Sequence, residues 1–463
     1  MIKEIPLNRL PVANRLPVAI IGAGPVGLAA AAHLHALGEP FLLIEAGSSV
    51  GANIRKWEHV KLFSPWAYNI DKAAKQLLLS SGWAAPLDAA IPTGRELVEQ
   101  YLEPLAELPE ISPHLHLNTL VTAITRKGLS KVKTYGRHQL AFAIYAVRNG
   151  IPHVFEARAV MDAAGTWSNP NPLRSDGIYS LEEQALENQI LYGIPDVLGK
   201  DKGRYRSKKV LVAGSGHSAI QTLLELAELQ NEANDTKIVW AIRKQNLEEV
   251  YGGRDLDGLP ARGQLGKRIQ QAVESGAVEV MTSFYIEGIE KNNGKIQAAG
   301  TMGSKKTVIP DIDEIVVNTG SRPDLSYVRE VRVSIDPSLE SVYELASLID
   351  PNVHSCGTVR PHGEKELRHP EKDYYIVGAK SYGRATTFLM ATGYEQVRSI
   401  AAALAGDMKS AGRVELELPE TGVCGVGAGG GDSCCEAEAH KDPQSSCGSA
   451  AANSAPTIPS CCG

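Results

Sequence analysis

Along this chain, apolar positions gather into short continuous runs bounded by glycine-bearing turns, and these runs alternate with longer stretches of helical period. Val18-Ala19-Ile20-Ile21 is the first run; it breaks at Gly22, and an alanine-rich helical stretch follows through His35. Phe41-Leu42-Leu43-Ile44 is the second, and it ends on Glu45. Such runs predict strands buried on both faces, as in parallel sheets. Residues 93–108 carry helical periodicity, with Thr93 and Glu96 at capping-box spacing. Residues 114–124 alternate like a strand, and further strands are predicted over 139–147 and 153–162. A later run, Val210-Leu211-Val212-Ala213, again breaks into glycines before an apolar-periodic helix, and 237–242 form the next strand. Strand-and-turn patterns recur at 313–324 and 374–380, and 386–404 read as a long helix interrupted only by Gly393. From about Pro419 periodicity stops, and Gly, Ala, Ser and paired cysteines predict a flexible tail without a core.

The first break spells Gly22-x-Gly24-x-x-Gly27 between a strand and a helix. Gly22 permits the tight turn, Gly24 lets backbone approach a pyrophosphate, and Gly27 lets the helix pack on the strand. The helix N-terminus offers free N–H groups and its positive dipole end to phosphates. Glu45 stands at the next strand end, about 20 residues on, where a carboxylate accepts hydrogen bonds from ribose hydroxyls. The second copy reads Gly214-x-Gly216-x-x-Ala219, but its next strand ends on Arg243 and Lys244. Two cations attract a 2′-phosphate where a carboxylate would repel it, so this site is expected to prefer NADP(H). The chain is therefore read as α/β, with two Rossmann-like dinucleotide-binding domains and a disordered cysteine-rich tail.

Composition narrows the function class. At 463 residues, two or three domains are expected. A net charge of −6 argues against nucleic acid as the main partner. The apolar stretch 16–34 holds the nucleotide-motif glycines and a proline, so no membrane span is predicted and the protein is expected to be cytoplasmic. Of seven cysteines, only Cys356 precedes the tail. Cys434-Cys435 and Cys461-Cys462 are adjacent pairs, which close a disulfide only with strain. As thiolates they suit thiophilic ions such as trivalent arsenic, antimony or mercury, whereas structural zinc favours two Cys-x₂₋₄-Cys pairs.

Between the motifs, Trp57, Phe63, Trp66 and Tyr68 cluster within twelve residues, either as one wall of a flavin or substrate pocket or as core aromatics under a loop. Arg55, Trp66 and Asn69 are the candidates for groups at the reacting centre. His114 and His116 share a strand face without a third ligand at metal-binding spacing, which favours a solvated face. The proline-rich exit after Gly165 reads as a domain crossing.

Two nucleotide motifs, the second nested between pieces of the first domain, resemble the two-dinucleotide-binding-domain flavoproteins over residues 16 to about 405. The resemblance rests on Gly22/Gly24/Gly27 with Glu45, Gly214/Gly216/Ala219, and Thr319-Gly320-x-Arg322-Pro323. It implies an FAD domain over 1–167 and 313–411, an NADPH domain over 168–312, and a tail over 412–463. Within that group, Ala164-Gly165-x-Trp167-Ser168-x-Pro170 resembles the linker of class B flavin monooxygenases, although their Phe-x-Gly-x-x-x-His run is missing. Phe63-Ser64-Pro65-Trp66 and the cysteine tail are similar to the flavin monooxygenases of arsenic-resistance clusters.

By this resemblance, Gly22, Gly24, Gly27, Glu45, Val121 and Gly378 serve FAD, Gly214, Gly216, Ser218, Arg243 and Lys244 serve NADPH, and Gly165 and Gly320 are further cofactor-binding positions. It implies a monooxygenase that passes oxygen from O₂, through a flavin hydroperoxide, to a soft nucleophile such as a trivalent arsenical or antimonite. Cys434, Cys435, Cys461 and Cys462 would capture that substrate, and a homodimer is left open. Two alternatives stand beside it: an NADPH-dependent flavin reductase of mercury or a disulfide, and a protein that sequesters metalloids through its tail. Flavin disulfide reductases carry a cysteine pair shortly after the first cradle, and no cysteine stands there in this chain.

Overall fold

The computed structural model describes residues 16–257, 259–352, 359–385 and 388–416. The chain opens with β1 (Val18–Ile21) and β2 (Phe41–Ile44), paired in parallel with Val18 opposite Phe41, and β3 (Leu115–His116) adds to β2. An antiparallel excursion follows, made of β4 (Thr119–Arg126), β5 (Phe142–Arg148) and β6 (Ile151–Ala157). The chain then returns as β7 (Ala159–Asp162), which lies parallel to β1 on its other side.

The second sheet repeats this plan. β8 (Ile190–Tyr192), β9 (Lys209–Ala213), β10 (Lys237–Ala241) and β11 (Glu279–Met281) precede an antiparallel excursion of β12 (Phe284–Asn292), β13 (Lys295–Met302) and β14 (Lys305–Ile312). β15 (Glu314–Val317) then inserts between β9 and β8, and β16 (Tyr374–Ile376) pairs with β7. The orders are β16-β7-β1-β2-β3 and β11-β10-β9-β15-β8, both parallel throughout. The strand within 313–324, expected to re-enter the first domain, thus completes the second sheet, and the chain returns only after Val317.

Three helices matter for the site: α1 (Pro25–Ala36), α2 (His217–Leu229) and α3 (Met390–Leu404). α1 is apolar on most of its circumference because it is covered on most sides. Leu28, Ala29, Ala30, Ala31 and Leu34 are fully buried, and the small alanines let sheet and α3 approach closely. Helix α3 begins at Met390, four residues later than the pattern suggested, with 386 and 387 outside the described residues.

Two strands read as single are each divided between sheets. The 114–124 run breaks at Asn118, whose φ of 52° turns the chain from β3 into β4. Residues 153–162 split into β6 and β7. The helix over 93–108 forms with the expected Thr93–Glu96 capping box, but Val98–Leu102 is a π segment. Pro104 has no N–H to give the Gln100 carbonyl, and the Trp83 indole N–H donates to it instead at 2.9 Å. No helix among the described residues is long and apolar enough to cross a membrane.

Candidate functional site

The first cradle is formed where β1 turns into α1. Gly22 has φ of 96°, and a Cβ there would lie 2.8 Å from the Ala163 carbonyl oxygen. A Cβ on Gly27 would fall 1.9 Å from the Gly22 carbonyl oxygen, so helix and strand meet only through glycine. A Cβ on Gly24 would meet nothing within 4 Å. The opening lies beside the first turn of α1, whose N-cap, Gly24, has no side chain to satisfy the free N–H groups. The Glu45 carboxylate is fixed beside this turn, accepting from the Ala23 and Gly47 N–H groups at 2.7 Å each. Thr119 N–H bonds to the Glu45 carbonyl, which brings the start of β4 and buried Val121 to the same edge.

α3 converges on this point. Cβ atoms on Gly393 and Gly378 would stand 2.6 and 3.3 Å from Val26 Cγ2, in the first turn of α1. The N-terminal ends of α1 and α3 therefore sit side by side, and the α3 N-cap, Leu389, offers no side-chain acceptor either. Gly378 has φ of 67°, and its N–H donates to Gln396 Oε1 at 2.7 Å. Behind it lies a cluster the sequence reading did not find. Asp162, at the end of β7, accepts from Lys380 Nζ at 2.7 Å, from the Tyr374 hydroxyl at 2.9 Å and from the Tyr327 hydroxyl at 2.8 Å. Burial, with the Asp162 charge adding to it, holds both phenols well above their ordinary pKa, so they stay donors. The available signal was an acid placed directly before Ala163-Ala164-Gly165.

The second cradle repeats the geometry. Gly214 has φ of 130°, with a Cβ placed 2.2 Å from the Asn318 carbonyl oxygen, and Gly216 opens on free space. Ala219 is buried at the third position, and Trp240 Nε1–H secures the Gly214 carbonyl at 2.7 Å. Ser218 lies in the uncapped first turn of α2. Arg243 is exposed just beyond β10, and the exposed Lys244 sits 3.7 Å from Glu249.

The two crossings between the sheets are tied to each other. Asn171 N–H donates to Gly320 O, and Arg322 N–H donates to Asn169 O, both at 2.9 Å. Arg322 Nε adds a bond to Asn171 Oδ1 at 2.9 Å. Gly320, with φ of 88°, serves this brace, whereas Gly165, with φ of 69°, has open space at its Cβ position.

A cavity of about 20 Å³ lies where Ser64, Tyr68 and Asn69 face Leu259 and the Leu389–Ala391 start of α3. Of the three candidates for the reacting centre, Asn69 lines it. Asn69 is buried and locked to Ser64, accepting from its hydroxyl and donating to its carbonyl, both at 2.8 Å. Trp66 is core, 3% exposed. Arg55 is engaged elsewhere: its guanidinium pairs with Glu58, Glu99 and Glu103 at 3.1, 3.0 and 2.7 Å, clamping its segment to the 94–107 helix. The aromatic cluster is likewise dispersed. Tyr68 reaches the cavity, Trp57 packs on Trp167, and the Phe63 ring lies tilted 5.2 Å from the His217 ring.

Among the described residues no group of three metal-binding side chains occurs. The rings of His114 and His116 pack on Phe41 and Phe155; His114 is exposed, as expected of a solvated face, whereas His116 is half-buried. Cys434, Cys435, Cys461 and Cys462 lie outside the described residues.

The pyridine nucleotide-disulphide oxidoreductase family model matches residues 19–348. The chain belongs to this family. Ferredoxin–NADP reductase from Rickettsia akari (strain Hartford) is 23% identical over 282 residues, covering 60% of this chain and 65% of its own. The match thus spans slightly less than two thirds of that relative's length. Among solved structures, bacillithiol disulfide reductase Bdr (YpdA) from Bacillus cereus has a TM-score of 0.60 at 18% identity, covering 84% of this chain and 99% of its own. DfoA, the FAD-bound cadaverine monooxygenase from Erwinia amylovora, also gives 0.60, at 12% identity, over 88% of this chain and 97% of its own. These two likenesses establish the shared fold. Membership of this pyridine nucleotide-disulphide oxidoreductase family carries FAD and NADPH as cofactors. The residues present fit both. Glu45 suits an unphosphorylated ribose beside the open Gly24, and Arg243 with Lys244 suits a 2′-phosphate beside the open Gly216.

Proposed function

We propose that the protein is an FAD- and NADPH-dependent monooxygenase whose substrate is a soft nucleophile, a trivalent arsenical or antimonite, converted to its pentavalent form. NADPH supplies two electrons; one atom of O₂ is bonded to the substrate's lone pair, and the other leaves as water with two protons. FAD, when bound, supplies the passage of those electrons from NADPH to O₂.

One observation carries the reading. In a disulphide oxidoreductase family, this chain has no cysteine before Cys356, so no dithiol follows the first cradle or stands in the second sheet to relay electrons to a disulfide. Oxygen transfer needs none. The chain's own residues supply the rest: uncapped α1 and α2 turns for the phosphates, Glu45 and Arg243 to sort the two nucleotides, and Asn69 with Tyr68 at the small cavity. Cys434, Cys435, Cys461 and Cys462 are proposed as thiolate ligands for the trivalent substrate.

A reductase is the second reading, favoured by curated relatives named ferredoxin–NADP reductase. NADPH oxidation and O₂ uptake, measured with and without a trivalent arsenical while released H₂O₂ is titrated, separate the two. Acceleration by arsenical with O₂ consumed beyond the peroxide released supports oxygenation. Turnover indifferent to the arsenical, or equally fast without O₂, removes it.

A further inference from the structure

We propose that Phe63 couples the second nucleotide cradle to the small cavity, so that a dinucleotide bound at the first turn of α2 shifts the cavity wall. The inference rests on that cradle taking NADP(H). His217 is the first residue of α2, so its backbone N–H stands among the uncapped groups that would meet the pyrophosphate. Its ring lies 5.2 Å from that of Phe63, tilted by 40°. Burial, reinforced by the Arg262 charge, pushes the imidazole down to about 4, so the ring is neutral and the contact is one of apolar surfaces. Asp257 also faces His217 and acts in the opposite sense, and it is itself bound to Arg262 at 2.7 and 2.8 Å.

Phe63 leads directly into the wall. Ser64, Tyr68 and Asn69 line the cavity, and the two 2.8 Å bonds between Ser64 and Asn69 close the segment on itself. Trp66 N–H is held by the Ala90 carbonyl at 2.9 Å, and the Tyr394 hydroxyl donates to the Asn69 carbonyl at 2.7 Å. A segment braced in this way transmits a displacement at Phe63 rather than absorbing it. The cavity's volume of about 20 Å³ is on the order of one water by this measure. A shift of the wall at Phe63 would therefore change what so small a space admits. Coupling of this kind is reciprocal, typically about 5–150-fold in affinity.

Hydrogen exchange on the full-length, FAD-loaded protein tests this, with NADP⁺ as the probe. In the parent protein NADP⁺ is expected to change exchange both at 214–222 and at 62–70. In Phe63→Ala the response at 214–222 should persist while that at 62–70 disappears. Phe63→Leu, which keeps apolar bulk, should fold if alanine does not, and should weaken the 62–70 response. An unchanged 62–70 response in either folded variant, or none in the parent while 214–222 responds, overturns the coupling. No response at 214–222 would overturn the reading of the cradle itself, and the coupling with it.

Discussion

Lys380 donates to Asp162 across 2.7 Å, and neither side chain is more than 1% exposed. The pair joins the turn after Gly378 to the end of β7, two segments 218 residues apart in the chain. Both segments border the first cradle: Ala163 packs on Gly22, and Gly378 packs on Val26. The ion pair thus ties together two segments that border the first cradle.

Removing one partner strands the other charge in the interior. Lys380→Met is expected to destabilise the protein by about 3–5 kcal/mol. The double variant Lys380→Met/Asp162→Asn should recover part of that loss, because no charge is then buried unpaired. Denaturant unfolding of the three proteins checks this, and equal stability of single and double variants would show that the pairing is not what Lys380 contributes.

Two of the three glycines of the first motif, Gly24 and Gly27, should respond differently to alanine. At Gly27 the new Cβ would lie 1.9 Å from the Gly22 carbonyl oxygen, so backbone must move and folding should suffer. At Gly24 the Cβ has open space, so Gly24→Ala should keep its melting temperature within a few degrees yet retain less FAD. Flavin absorbance per protein after gel filtration, beside thermal unfolding, separates the two effects.

His369 gives a pH dependence. It is 9% exposed, its Nδ1 accepts from Ser334 N–H at 3.1 Å, and burial pushes its pKa down to about 4. An unfolded histidine titrates near 6.5. Between those values the unfolded chain holds more protons, so the histidine's contribution to stability is present above about 6.5 and is lost as pH falls toward 4. The slope from this group is at most about 1.4 kcal/mol per pH unit. His369→Gln should flatten the stability curve in that window, measured by denaturant unfolding from pH 4 to 7. An identical slope would assign the acid sensitivity to other groups.

What the sequence reveals of this site is what is local. β1, β2, the two glycine turns and the Thr93–Glu96 cap all follow from neighbours within a few residues, and they form where their patterns stand. Partnerships across the fold are not encoded that way. The pattern of β15 does not say which sheet it joins, because a parallel strand carries the same apolar run whichever sheet receives it. Alternation runs straight through Asn118, so one left-handed residue hid a change of sheet. Arg55 looked available for chemistry because Glu99 and Glu103 meet it only through the folding of a later helix. The Trp83 bond that supports the π segment, and the Lys380–Asp162 pair, are long-range in the same sense.

Arg243 and Lys244 are the residues proposed to select the nucleotide in the second cradle. Both are exposed beyond β10, and Arg243 makes no ion pair among the described residues, so its guanidinium is free to meet a 2′-phosphate. Lys244 has Glu249 at 3.7 Å, a partner it must share or release when phosphate binds. Hydrogen bonds to a charged group are worth about 1.5–3 kcal/mol, which corresponds to roughly 10- to 150-fold in affinity. Arg243→Ala should therefore raise the KM for NADPH by that order while leaving the KM for NADH nearly unchanged. Glu249→Gln should move NADPH affinity slightly the other way, by releasing Lys244. Steady-state kinetics with both nucleotides distinguish a phosphate contact from a general loss of binding, because only the former changes the ratio. If Arg243→Ala weakens NADPH and NADH alike, the guanidinium supports the fold of the cradle and selects neither nucleotide.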